Sequence, residues 1–126
     1  MSQYRPSINE LLLAVLQFVT ECTSELQGQT RFHALSSSYV LGICERELRL
    51  GPIYEREERE RLSQFLQASG TLDQLRDSLC TQIRAGVHDS ASDALLRMLL
   101  AMAVNDVRIV KPEHLAPDHR AGDVSE

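Results

Sequence analysis

A histidine and an aspartate near the ends of two predicted helices are the residues best suited to chemistry. His33, inside an apolar arc, lies with Arg31 near the start of the second predicted helix, and Asn105 and Asp106 lie near the end of the last one. If successive helices alternate in direction, these two ends meet in the fold. A histidine beside a carboxylate can act as a general acid or base. The same pair can also be a structural ion pair between helix ends, and we favour that structural role.

A second polar cluster is predicted at the opposite end of the helices. Glu47, which also falls within an apolar arc, should meet Arg84 near the end of the fourth helix, or Arg5 before the first helix. A charge that is removed from water needs a partner, so we favour a structural ion pair here as well. Arg31, Arg84 and Arg108 flank the two clusters and could bind an anion.

The sequence contains none of the common catalytic signatures. GxGxxG, P-loop, GxSxG and HExxH patterns are all missing, so we assign no catalytic residue and predict no cofactor. His114 and His119 are separated by four residues that include Asp118, which is a weak pattern for a metal site, and we predict no metal. The cysteines lack metal-binding spacing, and we interpret them as reduced and mostly buried thiols: Cys22, Cys44 and Cys80.

Apolar residues recur at helical spacing through most of the chain, and this pattern predicts five helices. Ser7 with Glu10, and Thr71 with Gln74, have the spacing of capping boxes at the starts of the first and fourth helices. The predicted fold is all-α, a single five-helix bundle over residues 1–110 that is followed by a flexible acidic tail at 111–126. The predicted helices cover residues 8–26, 31–50, 52–68, 72–86 and 91–107.

The second helix is predicted to be central to the bundle. On a helical wheel it has two apolar stripes, which should both be covered, and only a narrow polar arc. The fifth helix is apolar almost all round, so helices 2 and 5 are predicted to be the most buried. Gly51 and Pro52 should separate helix 2 from helix 3, and Gly42 should mark the close approach of another helix. The polar arc consists of Ser38, Glu45 and Arg49.

The composition excludes several classes of protein. A net charge of −5 argues against a general nucleic-acid binder, which needs a basic face. The apolar run from Leu11 to Val19 is too short to span a bilayer, so we predict a cytoplasmic protein without a membrane partner. Lys111 is the single lysine among thirteen basic residues, a bias that is typical of GC-rich bacterial genomes. Helices 1 and 5 carry more apolar surface than one stripe can bury, which predicts a homodimer.

Short pieces of sequence across residues 5–108 match those of a known family in order and spacing. They are Arg5-Pro6, Glu10-Leu11-Leu12, Gly28, Arg31-Phe32-His33-Ala34, Glu47-Leu48 with Gly51, Arg61-Leu62, and Ile83-Arg84-Ala85-Gly86. In these pieces the chain resembles a family of small uncharacterised bacterial all-helical domains. Members of that family occur alone or fused behind aminoglycoside-phosphotransferase-like kinases, often beside acyl-CoA dehydrogenases. The family tends to carry Asn-Pro before a basic residue, whereas Asn105 is followed here by Asp106.

The resemblance implies an accessory role near small-molecule phosphotransfer or acyl-CoA metabolism. We therefore predict a non-enzymatic interaction module, homodimeric, that supports a kinase-like phosphotransferase or an acyl-CoA dehydrogenase. The alternative is a small ligand-binding protein or enzyme that uses Arg31, His33 and Asp106. A concave pocket beside His33 that is lined by arginine favours this alternative, and a flat, sealed surface there favours the interaction module.

Overall fold

The structure is a computed structural model, and it describes residues 5–120. Within this range the chain forms helices and turns without a strand, which confirms the all-α class. Short 3₁₀ turns follow the first helix at Thr23–Glu25 and the fourth at Pro112–His114. The α-helices are α1 (Ile8–Cys22), α2 (Gly28–Leu66), α3 (Leu72–Arg84), α4 (Asp93–Val110) and α5 (Pro117–Arg120).

Side-chain caps explain why α1 and α3 begin where they do. At the start of α1, the backbone N–H of Glu10 donates to Ser7 Oγ at 3.3 Å, and the N–H of Ser7 donates to Glu10 Oε2 at 2.6 Å. Thr71 and Gln74 form the same reciprocal pair, with distances of 3.2 and 3.0 Å. These bonds satisfy donors that have no acceptor inside the helix. Both predicted capping boxes are confirmed.

The segments predicted as helices 2 and 3 form one helix, α2, which corrects the predicted boundary between them. Pro52 lies inside α2, although a proline has no N–H to donate to the carbonyl group of Leu48, and its ring crowds that group. The physical reason is the cost of the alternative. Ending one helix and starting another leaves up to eight backbone groups without intrahelical partners, whereas the proline removes only one hydrogen bond.

The chain divides into two compact units, and the described residues of the first, 5–51, form a helical hairpin. Asn9 Nδ2 donates to the carbonyl oxygen of Glu45 at 3.2 Å. Further along α1, Thr20 Oγ1 lies 3.4 Å from Ser38 Oγ. Because later residues of α1 meet earlier residues of α2, the two helices run antiparallel. This first unit is termed the hairpin below.

The hairpin combines polar contacts between its two helices with half-buried apolar side chains such as Leu12, Leu16 and Leu41. Glu45 is buried, and its carboxylate accepts a hydrogen bond from Arg49 Nε at 2.8 Å. Glu45 and Ser38 belong to the narrow polar arc of α2, so α1 packs on that arc and leaves the apolar stripes outside. No large apolar side chain is buried within residues 5–51. This corrects the prediction that residues 31–50 form one of the two most buried helices.

Gly42 is buried on the face of α2 whose residues Ser38 and Glu45 hydrogen-bond to α1, and it also accommodates a side chain of its own helix. A Cβ atom at this position would lie 3.2 Å from Arg46 Nη1, and its three nearest neighbours all belong to that arginine. Gly51 has the same relation to Glu47, whose Oε1 would lie 3.0 Å from an added Cβ. Both glycines therefore make room for a long side chain that lies one turn earlier or later in α2.

The apolar core lies in the second unit, whose described residues, 52–120, are termed the carboxyl-terminal unit. Leu62, in the last part of α2, is 0 % exposed, and it packs against leucines of α3 and against α4. α4 contributes Leu95 and Met98 to this core, whereas Leu96 and Leu100 of the same helix are exposed. The core cluster consists of Leu62, Leu75, Leu79, Leu95 and Met98.

A bidentate ion pair joins α2 to α3 beside this core. Arg76 Nε and Nη2 donate to the two carboxylate oxygens of Glu58, each at 2.7 Å. This hydrogen-bonded contact raises the pKa of Arg76 above its ordinary value, and the charges of Asp73 and Asp106 add to the effect. A raised arginine pKa keeps the guanidinium charged throughout the usual pH range, so titration of Arg76 does not make stability depend on pH there.

The segment predicted as a flexible tail contains structure in residues 111–120. A 3₁₀ turn and α5 form there, and Leu115 is buried. Arg120 donates from Nε to the carbonyl oxygen of Leu115 and from Nη2 to that of Glu113, both at 2.6 Å. An apolar side chain with this degree of burial holds its segment against the core. Residues 121–126 of the predicted tail lie outside the described residues.

Two of the three cysteines differ from the prediction of mostly buried thiols. Cys44 and Cys80 are exposed, Cys22 is half-buried, and all three are free. The reason for Cys44 is that α1 packs against the polar arc of α2, whereas this cysteine lies in one of the apolar stripes outside it.

Candidate functional site

Arg31 and His33 lie in the hairpin near the start of α2, and both side chains are exposed. The ring of His33 makes an edge contact with the ring of Phe32, with centroids 5.9 Å apart. The sequence places His33 in an apolar arc, but nothing within the hairpin covers that arc. His33 is therefore an exposed histidine in this chain.

Asn105 and Asp106 lie in α4 of the carboxyl-terminal unit, and their burial differs. Asn105 is 6 % exposed, and Asp106 is exposed. Asn105 Nδ2 donates to Glu57 Oε2 at 3.4 Å, and Asn105 Oδ1 accepts from Arg108 Nη1 at 3.1 Å. The structure thus brings Asn105 together with a carboxylate and a guanidinium. Its association with the histidine of the hairpin stays a prediction.

The members of the second predicted polar cluster are exposed. Arg5 Nη1 lies 4.0 Å from the carboxylate of Glu10, an ion pair at the surface of the hairpin. Glu47 is in the hairpin, and Arg84 is in the last turn of α3 in the carboxyl-terminal unit. The predicted pairing of Glu47 with Arg84 or with Arg5 stays a prediction.

Helices α2, α4 and α5 of the carboxyl-terminal unit line an open cavity of about 320 Å³. Four of its residues recur along α4 at spacings of four, three and four, which places them on one face of that helix: Arg97, Ala101, Val104 and Arg108. This site is termed the arginine cavity. Its lining residues are Arg61, Arg97, Leu100, Ala101, Val104, Asn105, Arg108 and His119.

Hydrogen bonds hold one arginine of the cavity in place and leave another with a free donor. Arg108 donates from Nη1 to Asn105 Oδ1 at 3.1 Å and from Nη2 to the carbonyl oxygen of His119 at 3.0 Å. Arg61 Nη2 lies 3.7 Å from Glu57 Oε2. Arg61 Nη1 is buried, and it has no hydrogen-bond partner among the described residues. A buried donor without an acceptor is unfavourable, so this guanidinium is only partly satisfied by Glu57.

The arginine cavity is cationic although the chain as a whole carries a net charge of −5. Glu57 pairs with Arg61, but no carboxylate among residues 5–120 forms an ion pair with Arg97 or Arg108. Two positive charges therefore remain without a paired carboxylate. The sequence indicated Asn105 and Arg108 as candidate site residues but not the other residues that line the cavity. The regular spacing from Arg97 to Arg108 is a signal in the sequence that could have revealed one face of the site.

Residues 5–120 contain no group of three or more histidine, cysteine, aspartate or glutamate side chains that could hold a metal ion. None of the helices in that range combines the length and the apolar composition that crossing a membrane requires.

A comparison with protein families places the chain in one of them. No curated protein and no solved structure matches the chain. The family model described as Domain of unknown function (DUF6285) matches residues 24–114, a range that includes α2, α3 and α4 and begins after α1. Because this match covers more than half of the sequence, the chain belongs to the DUF6285 family.

Proposed function

We propose that the chain is a non-enzymatic interaction module that forms a homodimer through its hairpin. The observation that carries this proposal is the outward apolar surface of the two helices. Ile8, Leu11, Val15 and Phe18 follow one another on α1 at spacings of three, four and three, and each is about half exposed or more. Such spacing forms a continuous stripe along one face of a helix.

The exposed apolar surface of the hairpin is large enough for a stable interface. Large apolar side chains at this degree of exposure leave roughly 900 Å² in total, which is similar to the about 800 Å² that each partner contributes to a standard protein interface. The stripe on α1 and the stripe of α2 that contains Phe32, Leu35 and Tyr39 supply part of this total, and exposed apolar patches often mark interaction sites. Within the hairpin the exposed large apolar residues are Ile8, Leu11, Leu13, Val15, Phe18, Phe32, Leu35, Tyr39, Val40 and Leu48.

A second copy of the chain is the occupant that best fits this surface. The large apolar side chains that the hairpin covers are only half-buried, among them Leu12, Leu16 and Leu41, so burial in a dimer would add hydrophobic stabilisation. Two hairpins that pack together would form a four-helix bundle, with the apolar stripes in the middle. One of the two apolar stripes of α2 contains Phe32, Leu35 and Tyr39, and this stripe would then be buried in the dimer.

The charge of the hairpin also suits association between identical copies. Residues 5–51 contain four arginines and five glutamates, which gives this unit a net charge of −1, whereas the whole chain has −5. Repulsion between two copies is therefore weak at this surface. A homodimer uses the same patch on both subunits, and it is the commonest symmetric assembly.

Sedimentation velocity at micromolar concentration tests the proposal. We expect a species of twice the chain mass of 14.2 kDa. Phe18, which is 66 % exposed, lies on the α1 stripe, and Phe18→Glu should shift the protein to a monomer. Burying a carboxylate without a partner costs several kcal/mol, so dimer affinity should fall about 100-fold or more.

The matched control replaces an apolar residue outside the hairpin. Leu96 on α4 is 58 % exposed, and Leu96→Glu should leave the dimer intact. Because Phe18 is mainly exposed in the single chain, Phe18→Glu should retain the helical circular dichroism signal. A wild-type chain that sediments as a monomer contradicts the proposal, as does a dimer that Phe18→Glu does not weaken.

We propose further that this dimer supports an enzyme, either a kinase-like phosphotransferase or an acyl-CoA dehydrogenase. The support for this step is the resemblance of the sequence pieces between Arg5 and Gly86 to a family whose members occur fused to such kinases or beside such dehydrogenases. Affinity capture from the native host with mass spectrometry, carried out with and without acyl-CoA, tests it. Enrichment of an enzyme of either class over a capture with an unrelated helical protein is expected, and failure to enrich both classes would contradict this assignment.

The second candidate function is ligand binding by Arg31, His33, Asn105 and Asp106. The observation that favours it is Asn105, a buried amide that faces a guanidinium and a carboxylate of the carboxyl-terminal unit. The interaction module remains the first proposal because it rests on a larger surface.

A further inference from the structure

We propose that the arginine cavity binds a small organic anion, a carboxylate that carries a short apolar chain. The proposal does not depend on dimer formation, because every residue of the cavity belongs to the carboxyl-terminal unit. A volume of about 320 Å³ lies at the lower end of the range for small-molecule sites, which favours a compact ligand.

The arginines of the cavity provide the anion-binding part of the site. Arg61, whose side chain is 39 % exposed, lines the cavity with its guanidinium beside Glu57. Arg108 is oriented by Asn105 and by the carbonyl oxygen of His119, and an arginine that is already positioned loses less freedom when it binds a ligand. Guanidinium groups match the planar geometry of a carboxylate, which can accept two parallel hydrogen bonds.

The apolar part of the site lies between the arginines. Ala101 and Val104 separate Arg97 from Arg108 along one face of α4, and Leu100 lies beside them. These side chains cannot satisfy the oxygens of a bare inorganic anion, but they can cover an aliphatic chain. Glu57 offsets the charge of Arg61, but Arg97 and Arg108 have no paired carboxylate among residues 5–120, so the cavity keeps positive charge for an anionic head group. A short-chain carboxylate therefore fits both parts of the cavity.

Nuclear magnetic resonance titration of the full chain with hexanoate tests the proposal. We expect hexanoate to shift the backbone amide signals of residues 97–108 and of His119 in a saturable manner. Hexanol has the same chain length without the charge, and inorganic phosphate has the charge without the chain. Both probes should bind at least tenfold more weakly than hexanoate.

Arginine variants show whether the binding occurs in this cavity. Arg97→Gln changes an exposed residue of α4, so the fold should be retained, and hexanoate affinity should fall about tenfold. Arg61→Gln should weaken binding as well, because it removes a guanidinium from the cavity lining. Arg84→Gln provides the matched control, since Arg84 is an exposed arginine outside the cavity, and it should leave the affinity unchanged.

Several results would overturn the assignment. Hexanol that binds as tightly as hexanoate would leave no role for the arginines, and phosphate that binds as tightly would leave no role for the apolar wall. Shifts outside the cavity, or equal losses in Arg97→Gln and Arg84→Gln, would place the ligand elsewhere. Sedimentation of the same samples keeps the two proposals distinct, because a dimer that does not bind hexanoate would contradict this inference alone.

Discussion

Leu62→Ala is expected to lower the free energy of unfolding of the carboxyl-terminal unit by about 3 to 5 kcal/mol. Leu62, on α2, is 0 % exposed and packs against α3 and α4. The surrounding helices therefore cannot fully close the cavity that the smaller side chain leaves. Domains of this size are stable by about 5 to 15 kcal/mol, and the variant would therefore lose a large part of that margin. Urea denaturation followed by circular dichroism measures the change.

The control for this prediction is Leu96→Ala. Leu96 is on α4 of the same unit, but it is largely exposed, and exposed substitutions usually change stability by less than about 0.5 kcal/mol. Equal denaturation midpoints for the two variants would mean that Leu62 is not packed as the structure shows.

Pro52→Ala is expected to increase the free energy of unfolding by about 2 to 3 kcal/mol. The alanine supplies an N–H group that can donate to the carbonyl oxygen of Leu48, and it removes the contact of the proline ring with that group; the two effects together are worth about 3 kcal/mol in a helix interior. The greater freedom of the unfolded alanine chain opposes this by about 0.4 to 1 kcal/mol. Thermal unfolding followed by circular dichroism measures the net effect.

The matched control for this second variant is Pro117→Ala. Pro117 is the first residue of α5, where a missing N–H removes no intrahelical hydrogen bond. This variant should be neutral or slightly destabilised. If Pro52→Ala instead lowers the melting temperature, the proline contributes packing that outweighs the missing hydrogen bond, and the expectation would be wrong.

Local chemistry made the helices and their starts predictable. Ser7 and Thr71 occupy cap positions because their side chains bond to backbone groups only three residues away, and no distant partner is needed. Leu75 and Leu79 lie on one face of α3 by spacing alone. The end of the second predicted helix at Gly51 was wrong, because a glycine and a proline weaken a helix without preventing it from continuing.

The candidate site was less predictable than the fold class. Arg61 and His119 are 58 positions apart in the sequence, and nothing in their local patterns indicates that they line one cavity. Arg108 was identified as an arginine that could bind an anion, but its partners were not. Such groups come together only when α2, α4 and α5 pack, so the site depends on contacts that local spacing does not encode.

By itself, the sequence determined that this chain is all-α, which residues share each helical face, and where α1 and α3 begin. Only the tertiary structure decided which of those faces is covered. In α2 the spacing shows two apolar stripes and a polar arc, and α1 packs against the arc through Asn9 and Thr20. The physical reason is that spacing fixes the direction of a side chain relative to its own helix axis. Which element covers that side chain depends on packing between residues that are distant in the chain.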